Sequence, residues 1–325
     1  MTFAKKALTI GTLATLGVAA SASAQNTLNG AGATFPAPFY QRAFAALSGQ
    51  GVQVNYQSVG SGAGVRQFVA GTVDFGASDE PIKDAEAAKV RRGVVQFPAV
   101  GGTIAIAYNK TDCKGLKLTQ KQAVDIFLGN IKTWDQLKCG KGKITVAHRS
   151  DGSGTTFAFT NSLSAFSAEW KSRVGEGKSV KWPVGVGGKG NEGVAGVIAN
   201  TPGSIGYLNQ SYVRGAIKAA ALQNKAGNFV LPNLASGAAA LNNIRLNADL
   251  AGEDPNPAGA RSYPISTLTW ILAYEKGNGA KAGAIRKAML HLLGPAQNQA
   301  DELGYVPLKG DILKRAKAAV ARIGA

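Results

Sequence analysis

The chain has 325 residues, with two cysteines, two histidines and a formal charge of +17. Apolar residues make up 45% and charged residues 17%, with 42 glycines, which is the composition of a turn-rich globular protein of about two domains and not of a disordered one. The positive charge suits nucleic acid, an anionic surface or small anions, but the basic residues are scattered apart from Lys309, Lys314, Arg315, Lys317 and Arg322. Without a basic run interleaved with aromatics, nucleic acid is not an expected partner.

The N-terminus reads as a signal peptide, residues 1–24. Lys5 and Lys6 form a basic start, Ala7 to Ala20 is an apolar stretch, and Ala22-Ser23-Ala24 is a small-residue cleavage signature. The apolar stretch is too short to span a bilayer, and no cysteine lies nearby to carry a lipid. No later segment is long and apolar enough to span a membrane, so the mature chain is expected to be soluble outside the cytoplasm.

Strand and helix patterns then alternate. Val52–Gln57 reads as a strand, Ala63–Gly71 has apolar residues at helical spacing, and Val73–Ser78 is a short buried strand. Gly101–Asn109 is another strand. A helix runs from a Thr119 cap to Gly129. Ile144–Arg149 is a strand, and the apolar run after Thr155 is a helix. Ser204–Leu208 and Ser262–Tyr274 are strands, and the C-terminus is helical. This alternation argues an α/β fold with mostly parallel sheets. Cys113 and Cys139 lie 26 positions apart. Export favours a disulfide between them, two buried thiols being the alternative. With His148 and His291 as the only histidines, no metal site is expected.

Three Gly/Ser/Thr-rich turns each open a helix: Gly30–Phe44, Gly60–Phe68 and Asp151–Phe159. A helix N-terminus presents unpaired N–H groups and positive potential, which suits an anion. Arg149, directly before the third turn, adds a fixed charge and a forked donor. Any one such turn is equally a capped helix. The run from Gly185 to Gly190 matches a dinucleotide-binding glycine pattern but lacks the acidic residue that should follow it, and reads as a turn. Ser153 lacks the flanking glycines of a nucleophile elbow.

In the order "GAGATFPAPFY", "VNYQSVGSGAGVRQFVAGTVDFGASDEP", "RSDGSGTTFAF" and "KWPVGVGGKGNEGV", the chain resembles the periplasmic phosphate-binding proteins of phosphate-specific ABC transporters. The likeness runs from about Thr27 to Leu308. It implies a two-lobed, hinged α/β protein, each lobe a mostly parallel sheet flanked by helices, with the ligand in the interlobe cleft. Residues 25–108 and 262–325 would form one lobe and residues 109–261 the other. It also implies a non-enzymatic periplasmic receptor that binds dehydrated inorganic phosphate without metal or cofactor and hands it to a membrane permease.

The family's ligand contacts fall on Thr34, Phe35 (through its backbone), Ser61, Asp79, Arg149, Ser153, Gly154 and Thr155. Asp151 matches a carboxylate that pairs with the arginine. Gly62, where many members have a second serine, and Glu80 depart from the pattern. A carboxylate among donors makes sense if the ligand brings a proton, so Asp79 is expected to favour phosphate over sulfate. The rival readings are a secreted phosphomonoester hydrolase, a receptor for another oxyanion, and an adhesion protein using its basic surface.

Overall fold

The computed structural model describes residues 26–325, so the expected signal peptide lies outside the described residues. Twelve strands are defined. They are β1 (Thr27–Gly32), β2 (Gln53–Ser58), β3 (Phe75–Ser78), β4 (Val94–Asn109), β5 (Lys117–Leu118), β6 (Thr145–Arg149), β7 (Val186–Gly188), β8 (Ser204–Asn209), β9 (Lys218–Ala219), β10 (Ala221–Gln223), β11 (Phe229–Val230) and β12 (Ser266–Tyr274). The main sheet runs β2-β1-β3-β12-β4-β8-β6-β7, with β9 also on β4, and a small sheet runs β11-β10-β5.

Two halves of the main sheet share β4. Its Val94–Thr103 portion pairs with β12, and its Ile104–Asn109 portion pairs with β8. On the first side β1, β2 and β3 are mutually parallel, and β4 runs with them because both β3 and β4 are antiparallel to β12. On the second side β6, β7 and β8 are parallel and only β4 opposes them. Strand–helix–strand crossovers generate the parallel parts, while β4 and β12 carry the chain between halves.

β4 extends upstream of the Gly101 start expected from the sequence. Pro98 argues against a central strand, but it sits at a bulge where the register with β12 shifts between Thr269 and Trp270. Every residue of β12 is buried, and so is all of β4 after Val94. Both therefore read as apolar runs without alternation.

Local signals account for the flanking helices. In helix Gln120–Leu128 the Thr119 hydroxyl accepts from the Gln122 N–H, the Gln122 side chain accepts from the Thr119 N–H, and Gly129 ends the helix at φ +79°. Helix Ser61–Ala70 packs on β1 and β3. Gly64 lets it approach, since a Cβ there would lie 2.4 Å from the Gly32 Cα.

Cys113 and Cys139 are joined by a disulfide with their Cα atoms 4.9 Å apart. It ties the segment after β4 to the turn before β6. Replacing both cysteines by serine should lower unfolding stability by about 3–4 kcal/mol on loop-closure grounds. Urea unfolding of the oxidised protein and the double variant checks this, and coincident midpoints would show the bridge to be dispensable.

Candidate anion site

Four strands end where helices begin, two from each half. β1 leads through Thr34 and Phe35 to helix Ala37–Ser48, and β2 leads to helix Ser61–Ala70. From the other half, β6 leads through Arg149 to helix Gly154–Phe166, and β7 leads to helix Gly190–Asn200. Carboxyl ends of strands and helix N-termini thus meet in the seam between halves, the usual place for a ligand in such sheets. The fit is close. Gly62 N–H donates to the Gly152 carbonyl at 2.8 Å across the seam, and a Cβ on Gly62 would stand 3.0 Å from the Gly152 Cα. Glycine at the position where many family members carry a second serine leaves room for this close approach.

Asp79 lies at the centre, following β3 and 1% exposed. Its two carboxylate oxygens accept from hydroxyls on opposite sides: Thr269 of β12 at 2.8 Å and Thr155 at 3.0 Å. Its backbone N–H donates to Ser61 Oγ at 3.2 Å. Thr155 Oγ1 also accepts from Asn191 Nδ2, which donates to Thr34 Oγ1 as well, and the Asn191 backbone N–H reaches the same Thr34 oxygen. Thr34, Ser61, Asp79 and Thr155 therefore belong to one buried network. Gly154 completes the contact, because a Cβ there would lie 2.6 Å from the Asp79 N.

Burial pushes the Asp79 carboxyl up to about 6, against hydrogen bonds from Thr269 and Thr155 and the charge of Arg149, all of which favour the anion. Arg149, 4% exposed, ends β6. Its Nε and Nη2 donate to the two oxygens of Asp151 at 2.8 and 2.6 Å. Asp151 Oδ1 also accepts from the Gly190 N–H. Burial opposes ionisation of Asp151, but the hydrogen bonds and charge of Arg149 hold its carboxyl below the usual range. A forked charge held this way keeps its direction, and its field is moderated by the paired carboxylate.

Ser153 is a helix cap, one of the two readings that the sequence left open. Its Oγ caps helix Gly154–Phe166 by accepting from the Thr156 N–H, and its own N–H donates to the Lys178 carbonyl. His148 stacks on Trp182 with ring centroids 4.9 Å apart, which places its imidazole in an aromatic cluster. Phe35 is buried, its ring packing edge-on against Tyr305.

Sequence reasoning missed the groups that hold these residues. Tyr56, Tyr212 and Tyr305 donate their hydroxyls to the successive carbonyls of Ala33, Thr34 and Phe35 at 2.7, 2.7 and 2.6 Å. Burial raises the phenols of Tyr212 and Tyr305, so they remain neutral donors. The Tyr207 hydroxyl, pushed up to about 12 by burial, accepts from the Arg149 N–H and bonds Thr156 Oγ1. Asn191 directly follows the Gly185–Gly190 stretch read as a turn, inside the quoted "KWPVGVGGKGNEGV", and its position opening a helix after Gly-Lys-Gly was the available signal. Thr269, inside an apolar strand, carried none.

Asp79 is expected to titrate near pH 6, above its ordinary 3.8. The native state then binds that proton more tightly than the unfolded chain. Stability should fall as pH rises from about 4 to about 6, with the full penalty present above that window. Thr269→Val deletes a hydroxyl that favours the anion and should move the midpoint higher. Carboxyl carbon shifts followed against pH measure it, and an unmoved midpoint would detach Thr269 from the site.

Known proteins match this architecture. A family model described as a PBP superfamily domain covers residues 17–288. The fold and site thus define a substrate-binding protein of that superfamily, with two hinged lobes. Among curated relatives, the phosphate-binding protein PstS of Pasteurella multocida is 42% identical over 311 residues, covering 90% of this chain and 89% of the relative. That of Haemophilus influenzae is 41% identical, covering 97% of each. The chain belongs to the PstS phosphate-binding protein family. A solved substrate-binding protein of a phosphate ABC transporter from Clostridium perfringens, with bound phosphate, shares the fold at a TM-score of 0.66 and 21% identity, covering 87% of this chain and 100% of that one.

Proposed function

We propose that this protein is an exported receptor that captures inorganic phosphate in the seam between its lobes and delivers it to the permease of an ABC transporter. The observation that carries the reading is a buried carboxylate, Asp79, set among hydroxyl and N–H donors beside the fixed charge of Arg149. Thr34, Phe35, Ser61, Arg149, Ser153, Gly154 and Thr155 supply donors to the phosphate oxygens, and Asp79 accepts from a phosphate P–OH. Sulfate carries no proton at neutral pH and would set its lone pairs against that carboxylate.

The protein binds without chemistry. A nucleophile has no support, since Ser153 is a helix cap and His148 is stacked on Trp182. The chain works in the periplasm after removal of residues 1–24. Among the described residues no helix is long and apolar enough to cross a membrane, so the permease supplies the membrane path. The proposed lobes are residues 25–108 with 262–325, and residues 109–261. β4 spans the first passage, and movement of one lobe against the other opens the seam.

Arg149→Ala should weaken phosphate binding about 10- to 150-fold, the equivalent of one charged hydrogen bond at about 1.5–3 kcal/mol. Asp79→Asn should narrow the ratio of phosphate to sulfate affinity, because an amide can donate to sulfate. Calorimetric titration of both anions into wild type and each variant, at one pH and ionic strength, tests both. Equal affinity of the wild type for the two anions would contradict the assignment of Asp79, and unchanged affinity in Arg149→Ala would remove Arg149 from the site.

A further inference from the structure

Glu80, the residue after Asp79, departs from the family pattern and points away from the network just described. Its side chain is 4% exposed, with Oε2 2.9 Å from Lys178 Nζ and Oε1 3.2 Å from Lys83 Nζ. Lys83 is a local partner, three residues on and 60% exposed. Lys178 is not local. It lies between helix Ala168–Arg173 and β7, on the opposite side of the seam, and is 15% exposed. Its Nζ also stands 3.5 Å from Glu86, in the same half as Glu80. With Glu80 the contact is one of charge rather than an aligned hydrogen bond.

Lys178 is attached at both ends to the anion site. Its backbone carbonyl accepts from the Ser153 N–H at 2.8 Å, on the cradle of one half. Its side chain reaches the residue adjoining Asp79 on the other. Glu80 is within electrostatic range of a further acid. Glu253, held by Asn161 at 2.9 Å, has its carboxyl pushed up to about 7 by burial and by the charges of Glu80 and Glu176. Lys178 thus stands between two carboxylates of the opposite half, Glu80 and Glu86, with Glu253 adding negative charge near Glu80.

We infer that Lys178 and Glu80 form an interlobe latch, a pair that holds the closed form and slows release of the bound anion without touching it. The inference rests on the phosphate-receptor reading above. It assigns Lys178 as a positioning residue, acting through Glu80 and the Ser153 cradle.

Glu80→Gln separates a latch from a simple field effect, because the two have opposite signs. Removing a negative charge near an anion site should tighten phosphate binding if only the field matters. If the pair is a latch, binding weakens and release of radiolabelled phosphate quickens by about three- to tenfold, the range of a partly buried ion pair. Lys178→Met should produce a similar acceleration, Lys178→Arg should restore near wild-type release, and the double variant Glu80→Gln/Lys178→Met should lose no more than either single one. Association rates should be unchanged in all four. Glu80→Gln protein that binds as tightly as wild type or tighter, or losses that simply add, would overturn the latch while leaving the receptor reading intact. Wild-type protein that takes up no phosphate would overturn the reading and the latch with it.

Discussion

The hydrogen bond from Thr155 to Asp79 joins the two halves of this protein at a buried point. A carboxylate that is 1% exposed must find its partners within the protein, and no single half can supply them. Thr269 provides one from β12 and Thr155 the other from across the seam. The remaining polar groups follow from that need. Thr155 is oriented by Asn191, Asn191 also holds Thr34, and its side-chain oxygen accepts from the Asn209 N–H at the end of β8. These cross-seam hydrogen bonds form only while the halves are together.

Charge is arranged in the same spirit. Arg149 is buried but paired bidentately with Asp151, so the seam presents a directed cation without a large uncompensated charge. The Tyr56, Tyr212 and Tyr305 hydroxyls hold three successive carbonyls of the loop that opens helix Ala37–Ser48. With its carbonyls bound behind it, that loop can turn N–H groups toward an anion at no cost of reorganisation. The backbones approach closely across the seam at Gly62 and Gly152, where a Cβ on either would be tightly packed. On the phosphate-receptor reading proposed above, the Asp79 carboxylate would discriminate between tetrahedral oxyanions by what it leaves unpaired.

β4 is the strand that joins the two halves. It is one unbroken strand, yet its partner changes from β12 to β8 between Thr103 and Ile104. The bulge opposite Thr269 and Trp270 lies in the β12 portion, close to the residue that holds Asp79. Bulges of this sort turn a strand and re-aim its side chains. The passage between lobes and the placement of an Asp79 partner are thus built into one pair of strands.

Much of this was present in the linear chain. Short-range chemistry settles the Thr119 cap, the Gly129 stop, the Ser153 cap and the alternation of strands with helices, because each depends on residues a few positions apart. The three Gly/Ser/Thr-rich turns and the Arg149 before the third were legible for the same reason, since each opens a helix, whereas Thr34, Ser61, Ser153, Gly154 and Thr155 were singled out only by the family resemblance. What the chain could not announce is who meets whom. Asn191 and Thr34 are 157 positions apart, and Thr269 and Asp79 are 190 apart. Thr269 sits in a strand buried on both faces, where a threonine reads as another β-branched core residue, and Pro98 concealed the start of β4 until the bulge was seen. Such pairings are decided by sheet order and by the need to satisfy buried polar groups, and both exist only once the halves have packed against each other.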